Sequence, residues 1–512
     1  MLCPENYQPK LSEEDQKLFN RFVDSDHPLR RALGLIDWQS FYPFLAVHYS
    51  ADEGQPAIDP VRMLKLEYLS YQYNLSDCQV ISRAKTDLAF RWFLQLRSWE
   101  RLPDPSSLCV FRGRLGLKGF RAVFDQVVAM ARAEGFVKDR LRLKDASHVI
   151  ANIAVPSTLA LVAQMRDRLL ASAAPFAPVQ VEGERVQIEL LRARTDGLGN
   201  EEKLLARVTH LREMLLWIEQ LPPPPDADSD QQWQKLVEQC GTAHKILADQ
   251  AHPEEGHRTL STVDPDARRG RHGDWYKGFL VDILVDADSQ IITQINVLPA
   301  GGEEAADALD LIRQEEQAHG NDIDSLSIDG AGYRGEVLRE LEDPQGLNVN
   351  TYVPPPPAPE PKIFTPEQFV ADSQQGSVTC PAGQTSSYRH RTPDDNGWIY
   401  QFKFSTCQAC AFLSLCMTKT PQGWSGKTVR KNDYEEEYRR VRAKAQTDAY
   451  AEVRREHTMV ERKLGELLNR HGGRRTRYHG TAKVLIQELM AGLATNVKRL
   501  VRLFCAQTEL AT

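Results

Sequence analysis

Ser325-Leu-Ser-Ile-Asp-Gly-Ala-Gly-Tyr333 decides how the rest of the chain is read. A short apolar run ends in Asp329 and is followed at once by glycines, the pattern of a buried strand delivering one carboxylate to the edge of a sheet. Upstream, Leu141-Arg-Leu-Lys-Asp-Ala-Ser-His-Val-Ile150 carries a second such carboxylate, Asp145. Downstream, the helical run Glu456-His-Thr-Met-Val-Glu-Arg-Lys-Leu-Gly465 carries a third, Glu461. Three separated carboxylates that meet at one sheet edge supply the hard oxygen donors a divalent cation needs. Asp264, Asp266 and Glu466 compete for these places. Asp264-Pro-Asp-Ala-Arg268 reads better as a turn, and Glu461 is preferred to Glu466 on its Val-Glu-Arg context.

Around this stretch the pattern is strand, insertion, hairpin, helix, strand, helix, strand. Residues 141–153 read as a strand. His148 lies three residues past Asp145, on the other face of that strand, and reads as structural. Residues 157–255 read as a helical insertion, interrupted at Pro222–Pro225. Tyr276–Val285 and Ile291–Val297 form a hairpin about Asp286–Gln290. Tyr276 and Lys277 begin its first strand, and core packing is the reading for Tyr276. A helix over 303–319, a strand over 322–329, a helix over 335–342 and a strand over 347–353 follow. The fold class is α/β, a mixed sheet with helical crossovers. Residues 141–156 and 256–360 form its core. Residues 1–140 are helical, with Asn74–Asp77 a turn and cap and Asp104 or Ser106 a second cap. This all-α domain suits either a helix-turn-helix-like bundle or plain packing. Residues 431–512 supply the helix with Glu461 and a final helix, Thr481–Phe504.

Composition bounds the function. The 512 residues carry a net charge of −7, with 26% charged and 41% hydrophobic residues, as in ordinary globular chains of about three domains. No apolar run is long enough to span a bilayer, and the first residues do not form a signal peptide. A cytoplasmic setting with reduced cysteines is expected. The charge is uneven: Arg454–Cys505 holds twelve Lys/Arg against four Asp/Glu. Such a local excess reads as a phosphate-facing surface or as a solvated helical face.

Residues 361–430 read as a loop-rich insertion containing Cys380, Cys407, Cys410 and Cys416. Cys407-Gln-Ala-Cys410 is a common half-site for Zn²⁺, and Cys380 and Cys416 are the candidates to complete it. The alternative is a set of buried thiols. Cys3, Cys78, Cys109, Cys240 and Cys505 are isolated and read as packing residues. Trp398 and Trp424 in the same insertion also read as packing.

The order of several weak motifs makes a stronger case. Asp145-Ala-Ser-His-Val-Ile-Ala-Asn152, Ser261–Arg268, Tyr276-Lys-Gly-Phe279, Asp329-Gly-Ala-Gly-Tyr333 and Val460-Glu-Arg-Lys463 together resemble a bacterial insertion-sequence DDE transposase with a ribonuclease H-like catalytic core. Pro60–Leu75, Phe90-Arg-Trp-Phe93 and Pro103–Arg112 are similar to the helical N-terminal domain of those enzymes, and Arg474–Tyr478, Lys483-Val484 and Asn496–Leu500 to their C-terminal segment. The resemblance spans about residues 40–503.

It implies that Asp145, Asp329 and Glu461 bind two Mg²⁺ or Mn²⁺ ions, and that terminal inverted repeats are cleaved and their 3′ ends joined to target DNA, by a homodimer on paired ends. It gives phosphate contacts to Arg455, Arg462, Lys463, Arg474, Arg475, Arg477 and Lys483. Two positions depart from the family pattern: an Arg four residues before the Glu and a Lys seven after are here His457 and Leu468. A non-catalytic DNA-binding derivative and a nuclease on the same fold are the rival expectations.

Overall fold

The computed structural model describes residues 2, 11–50, 56–227, 230–252, 257–357, 364–372, 375–417 and 425–511. Cys3 and Trp424 lie outside them. The chain divides into two compact units, each made of non-contiguous segments. One comprises residues 1–137, 146–303 and 461–512; the other comprises 138–145 and 304–460. Strand β1, Arg142–Ile150, runs through both.

The first unit begins with short, locally capped helices. Asp59 accepts from the backbone N–H of Val61 and starts the helix Pro60–Gln72. That helix is buried on all sides from Pro60 to Tyr71, so it is the axis around which the others pack. Ser76 and Gln79 form a capping box for Asp77–Thr86. Asp104 accepts from Ser106 N–H at the head of Ser106–Ala133. The long closing helix Thr481–Ala511 packs on Ser106–Ala133, on Pro60–Gln72 and on a strand of the hairpin.

That hairpin is β3, Asp274–Asp286, paired antiparallel with β4, Ile292–Pro299, in the register Phe279↔Pro299 to Leu284↔Gln294. Every residue of β3 beyond Gly278 is buried, which is why the run is apolar except at Asp282 and Asp286. A further strand, β2 (Arg268–His272), precedes it and pairs with its first residues. Sequence reasoning placed only a turn there, because Arg268-Arg-Gly-Arg-His272 has neither β-branched residues nor alternation.

Gly278 sits at φ 150°, and a Cβ on it would lie 2.0 Å from the carbonyl oxygen of Val149 in β1. No side chain fits there, so this glycine sets how closely β3 approaches β1. The insertion is helical as expected. Thr158–Ala173, Pro178–Thr195, Asn200–Ile218 and Gln231–Ala251 share a core of Leu169, Leu211, Met214 and Ile246.

In the second unit the opening residues of β1 run parallel to β5 (Ser325–Ser327), in the register Arg142↔Leu326 and Leu143↔Ser327. β5 runs parallel to β6 (Asn350–Tyr352). The helices Glu304–His319 and Gly335–Leu341 make the crossovers that parallel strands require. The side chain of Arg142 is fully buried and grips Glu315 of the first crossover helix with contacts of 2.7 and 2.9 Å. Gly335 abuts Tyr434, and its N–H donates to the hydroxyl of Tyr438, which stacks on Tyr333.

The cysteine-bearing segment corrects the loop-rich expectation. It holds β7 (Val370–Asp372), β8 (Ser377–Thr379) and β9 (Thr385–Ser386) in one small antiparallel sheet. A second sheet is built from β10 (Arg389–Arg391), β11 (Gly397–Lys403) and β12 (Ser425–Asn432). Four of these strands have only two or three residues, too few to show alternation.

Candidate active site

Parallel pairing puts the first two carboxylates side by side. Asp145 lies two residues beyond Leu143, and Asp329 two residues beyond Ser327, its register partner. The period of two along each strand therefore sends both side chains to one face at one level. Asp145, Asp329 and a third residue, Glu304, bring carboxylate oxygens within 4.8 Å of one another. All three are half-buried, so the site is reachable from solvent.

Asp329 is oriented by its own turn: its Oδ1 accepts the N–H of Ala331 at 3.0 Å, tying the carboxylate to the glycine-rich bend. Lys144, with a fully buried side chain, places its ammonium 3.8 Å from Glu304 and offsets part of the negative charge. Carboxylate oxygens at this spacing are a donor set suited to hard divalent cations such as Mg²⁺ or Mn²⁺.

Sequence reasoning missed Glu304. It opens a helix directly after Gly301-Gly302-Glu303, where an acidic residue is the ordinary complement of the helix dipole. The only signal was position, since a helix start that follows a buried hairpin points back to the sheet edge.

Glu461 lies on the helix Asp448–Arg470, in the first unit, with an exposed side chain. Earlier turns of this helix are anchored in the second unit. Arg454 donates to the carbonyl of Ile328, the residue before Asp329, at 2.9 Å, and to Ser327 Oγ at 3.2 Å. Buried His457 is bonded to the same Ser327 hydroxyl through Nδ1 at 3.0 Å. Residues 454, 457 and 461 fall on one stripe, with Glu461 about 20° from Arg454 around the axis.

Burial, then the charges of Arg454 and Lys144, push the His457 imidazole down to about 3, so it is neutral at ordinary pH. Glu466 points elsewhere and is engaged by Lys498 at 2.6 Å and Lys463 at 3.3 Å. Burial opposes its ionisation, but the Lys498 hydrogen bond and the two ammonium charges hold it at about 2. Leu468 is core. Asp264 and Asp266 accept from the N–H groups of Gly480 and Thr481, as structural turn residues do.

The basic residues divide into two kinds. Arg455, Arg462, Arg475 and Lys483 are exposed. Lys463 is buried against Glu466. Arg477 donates to Ser70 Oγ, Asn74 Oδ1 and the carbonyl of Leu75, and stacks on Tyr71. Arg474 donates to the carbonyl of His148 at 2.8 Å and to Ser147 Oγ, while Ile150 and Arg475 form a parallel bridge, so this turn clamps the end of β1. Arg474, Arg475 and Arg477, with Asn74, Asn152 and Asn469, line an open basin of about 460 Å³. His148 lies against the Tyr276 ring, with centroids 5.0 Å apart, and Tyr276 is buried. Trp398 is sandwiched under Arg389 and Arg391. Among the described residues no helix is long and apolar enough to cross a membrane.

Two family models match the chain. Residues 17–114 match "Transposase domain (DUF772)" and residues 379–501 match "Transposase DDE domain". No curated protein and no solved structure matches it.

Proposed function

Starting from a chain whose two family matches support an insertion-sequence DDE transposase, we propose that it binds the terminal inverted repeats of its element, cleaves the DNA at those ends and joins the freed 3′ hydroxyls to target DNA. The observation that carries this reading is the juxtaposition of Asp145 and Asp329 at one level of two adjacent parallel strands, with Glu304 beside them. Bound Mg²⁺ or Mn²⁺ ions would supply activation of the attacking oxygen and stabilisation of the leaving oxygen.

The chain's own residues do the rest. Asp145 and Asp329 hold the ions from a rigid sheet edge. Glu461, one helical stripe along from Arg454 and His457, supplies the carboxylate from the helix. Arg454, by gripping the peptide before Asp329, fixes the end of β5 against that helix. Phosphate contacts fall to the exposed Arg455, Arg462, Arg475 and Lys483, where a cation meets a strand without breaking an internal ion pair. Arg474 reaches the same basin while clamping β1; Lys463 and Arg477 serve the packing that holds the surface in place. Two copies on paired ends would place one such site at each end.

The test is end cleavage by the purified full chain on DNA carrying its inverted repeats. Asp329→Ala and Asp145→Ala should abolish Mg²⁺-dependent cleavage and leave end binding in a gel shift intact. Cleavage that survives both changes would overturn the assignment. A pre-cut end that is bound but never joined to target DNA would make the protein a nuclease on this frame.

A further inference from the structure

The segment from Phe364 to Asn432 has few means of holding itself together. Among the described residues its core contains five buried hydrophobic side chains, Phe369, Val378, Tyr400, Phe402 and Val429, beneath two three-stranded sheets. A core that small does not offset the entropy of ordering such a segment, and natural modules of this kind add a metal or a covalent cross-link.

Four cysteines border one cavity at the edge of this core. Cys380, Cys407, Cys410 and Cys416 all line this space of about 30 Å³.

The backbone around them is shaped for sulfur. Cys380 closes the β8–β9 hairpin, its N–H donating to Gln384 O and its carbonyl accepting from Gly383, whose φ of 77° makes the tight turn. The carbonyl of Cys407 accepts from Cys410 N–H, which closes the turn between them. The N–H of Lys427 donates to Cys407 Sγ at 3.3 Å, and Gly426 leaves room for that sulfur, since a Cβ there would sit 2.6 Å from it. Lys427 Nζ lies beside the carbonyl of Cys416 at 3.0 Å, where its charge offsets that of a thiolate cluster.

Among the described residues only the acidic group brings three candidate ligand atoms within 4.8 Å. The thiols therefore stand wider than the roughly 2.3 Å Zn–S bonds of a closed site require, and the cavity is the space into which they would draw.

We propose that Cys380, Cys407, Cys410 and Cys416 bind one Zn²⁺ as a tetrahedral tetrathiolate that clamps the β8–β9 hairpin to the segment Cys407–Cys416. The ion is structural, with all four positions taken by protein and none left for substrate. Each thiol loses its proton on binding, and the ion replaces the four protons at the centre of the module.

The experiment is metal analysis of the full chain purified without chelators or added metal. One zinc per chain is expected, retained in Asp329→Ala and in Cys109→Ser, whose thiol is exposed elsewhere. It should fall at least fivefold in Cys380→Ser and in Cys407→Ser. Zinc below half an equivalent in the wild type, or unchanged in both cysteine variants, overturns the proposal. If those variants do not fold, Co²⁺ loading of the wild type decides. Tetrahedral d–d bands with sulfur-to-cobalt charge transfer support the site, and their absence overturns it. A disulfide among these four cysteines, found by mass spectrometry without reductant, also overturns it.

Discussion

Glu304 illustrates how much one side chain changes the chemistry at this edge. With Asp145 and Asp329 alone, a cation would find two carboxylates; Glu304 adds a third from a crossover helix rather than a strand. Glu304→Gln should raise the Mg²⁺ or Mn²⁺ concentration needed for half-maximal cleavage by about tenfold to a hundredfold, in the range seen when a metal site loses a supporting group. An unchanged metal titration would remove Glu304 from the site.

Arg142 and Glu315 pose a different residue-scale question, because both are fully buried charges. Glu315→Ala removes the fully buried carboxylate that answers the guanidinium charge. A loss of about 3–5 kcal/mol in denaturant unfolding is expected. His457 sets an acid limit. Its folded pKa is about 3, against a value near 6.5 in the unfolded chain. The contribution of His457 to stability is therefore flat above pH 6.5. It declines as the pH falls toward 3, because the unfolded chain takes up a proton that the folded one refuses. Between pH 6.5 and 4.5 the slope should approach 1.4 kcal/mol per unit, and His457→Gln should flatten it in urea melts across that window. Glu466 adds its own loss only below its ordinary value of 4.5.

Asp145 and Asp329 were legible as residues because each ends or interrupts an apolar strand. Glu304 was hidden because it resembles any acidic helix start. The burial of Lys463 and the internal partners of Arg477 were hidden because a cation in a paired core and one on a surface are spelled alike.

At the scale of elements, Gly278 and Gly273 separate two reasons for glycine. Gly273 turns the β2–β3 hairpin at φ 70° with nothing within 4 Å of a new Cβ. Gly273→Ala should cost about 1 kcal/mol, the backbone penalty alone. Gly278→Ala must push β3 off the Val149 carbonyl and should cost on the order of 3 kcal/mol, with broadened amide spectra across β1 and β3. Equal costs at both positions would deny the close approach its importance.

The long elements were readable from the sequence for the reason that makes them stable. The hairpin from Asp274 to Pro299 and the helix Glu304–His319 bury continuous apolar surface, and their patterns say so. Four of the six strands in the cysteine segment, β7 to β10, have only two or three residues, which leaves no periodicity to read.

For the whole molecule, ion binding and stability are linked. If divalent cations occupy the acidic group only in the folded chain, Mn²⁺ at a hundred times its dissociation constant should add about 2.7 kcal/mol to unfolding. The melting temperature should rise in the wild type and stay level in Asp329→Ala. A rise of equal size in both would place the binding elsewhere.

β1 passes from one compact unit to the other between Asp145 and Ala146, and each unit gathers segments far apart in the chain. This has a consequence for synthesis. On a ribosome the chain emerges from its N-terminus at about 5–20 residues per second. Pro60–Gln72 and Ser106–Ala133 are out early, yet they pack on Thr481–Ala511, which is made much later. For most of translation their apolar faces wait without a partner, and neither unit can close. A message cut short does not yield a smaller working piece. It yields a chain exposing the faces meant for its missing helix, a substrate for chaperones and proteases, so only full-length reading frames leave a protein able to act.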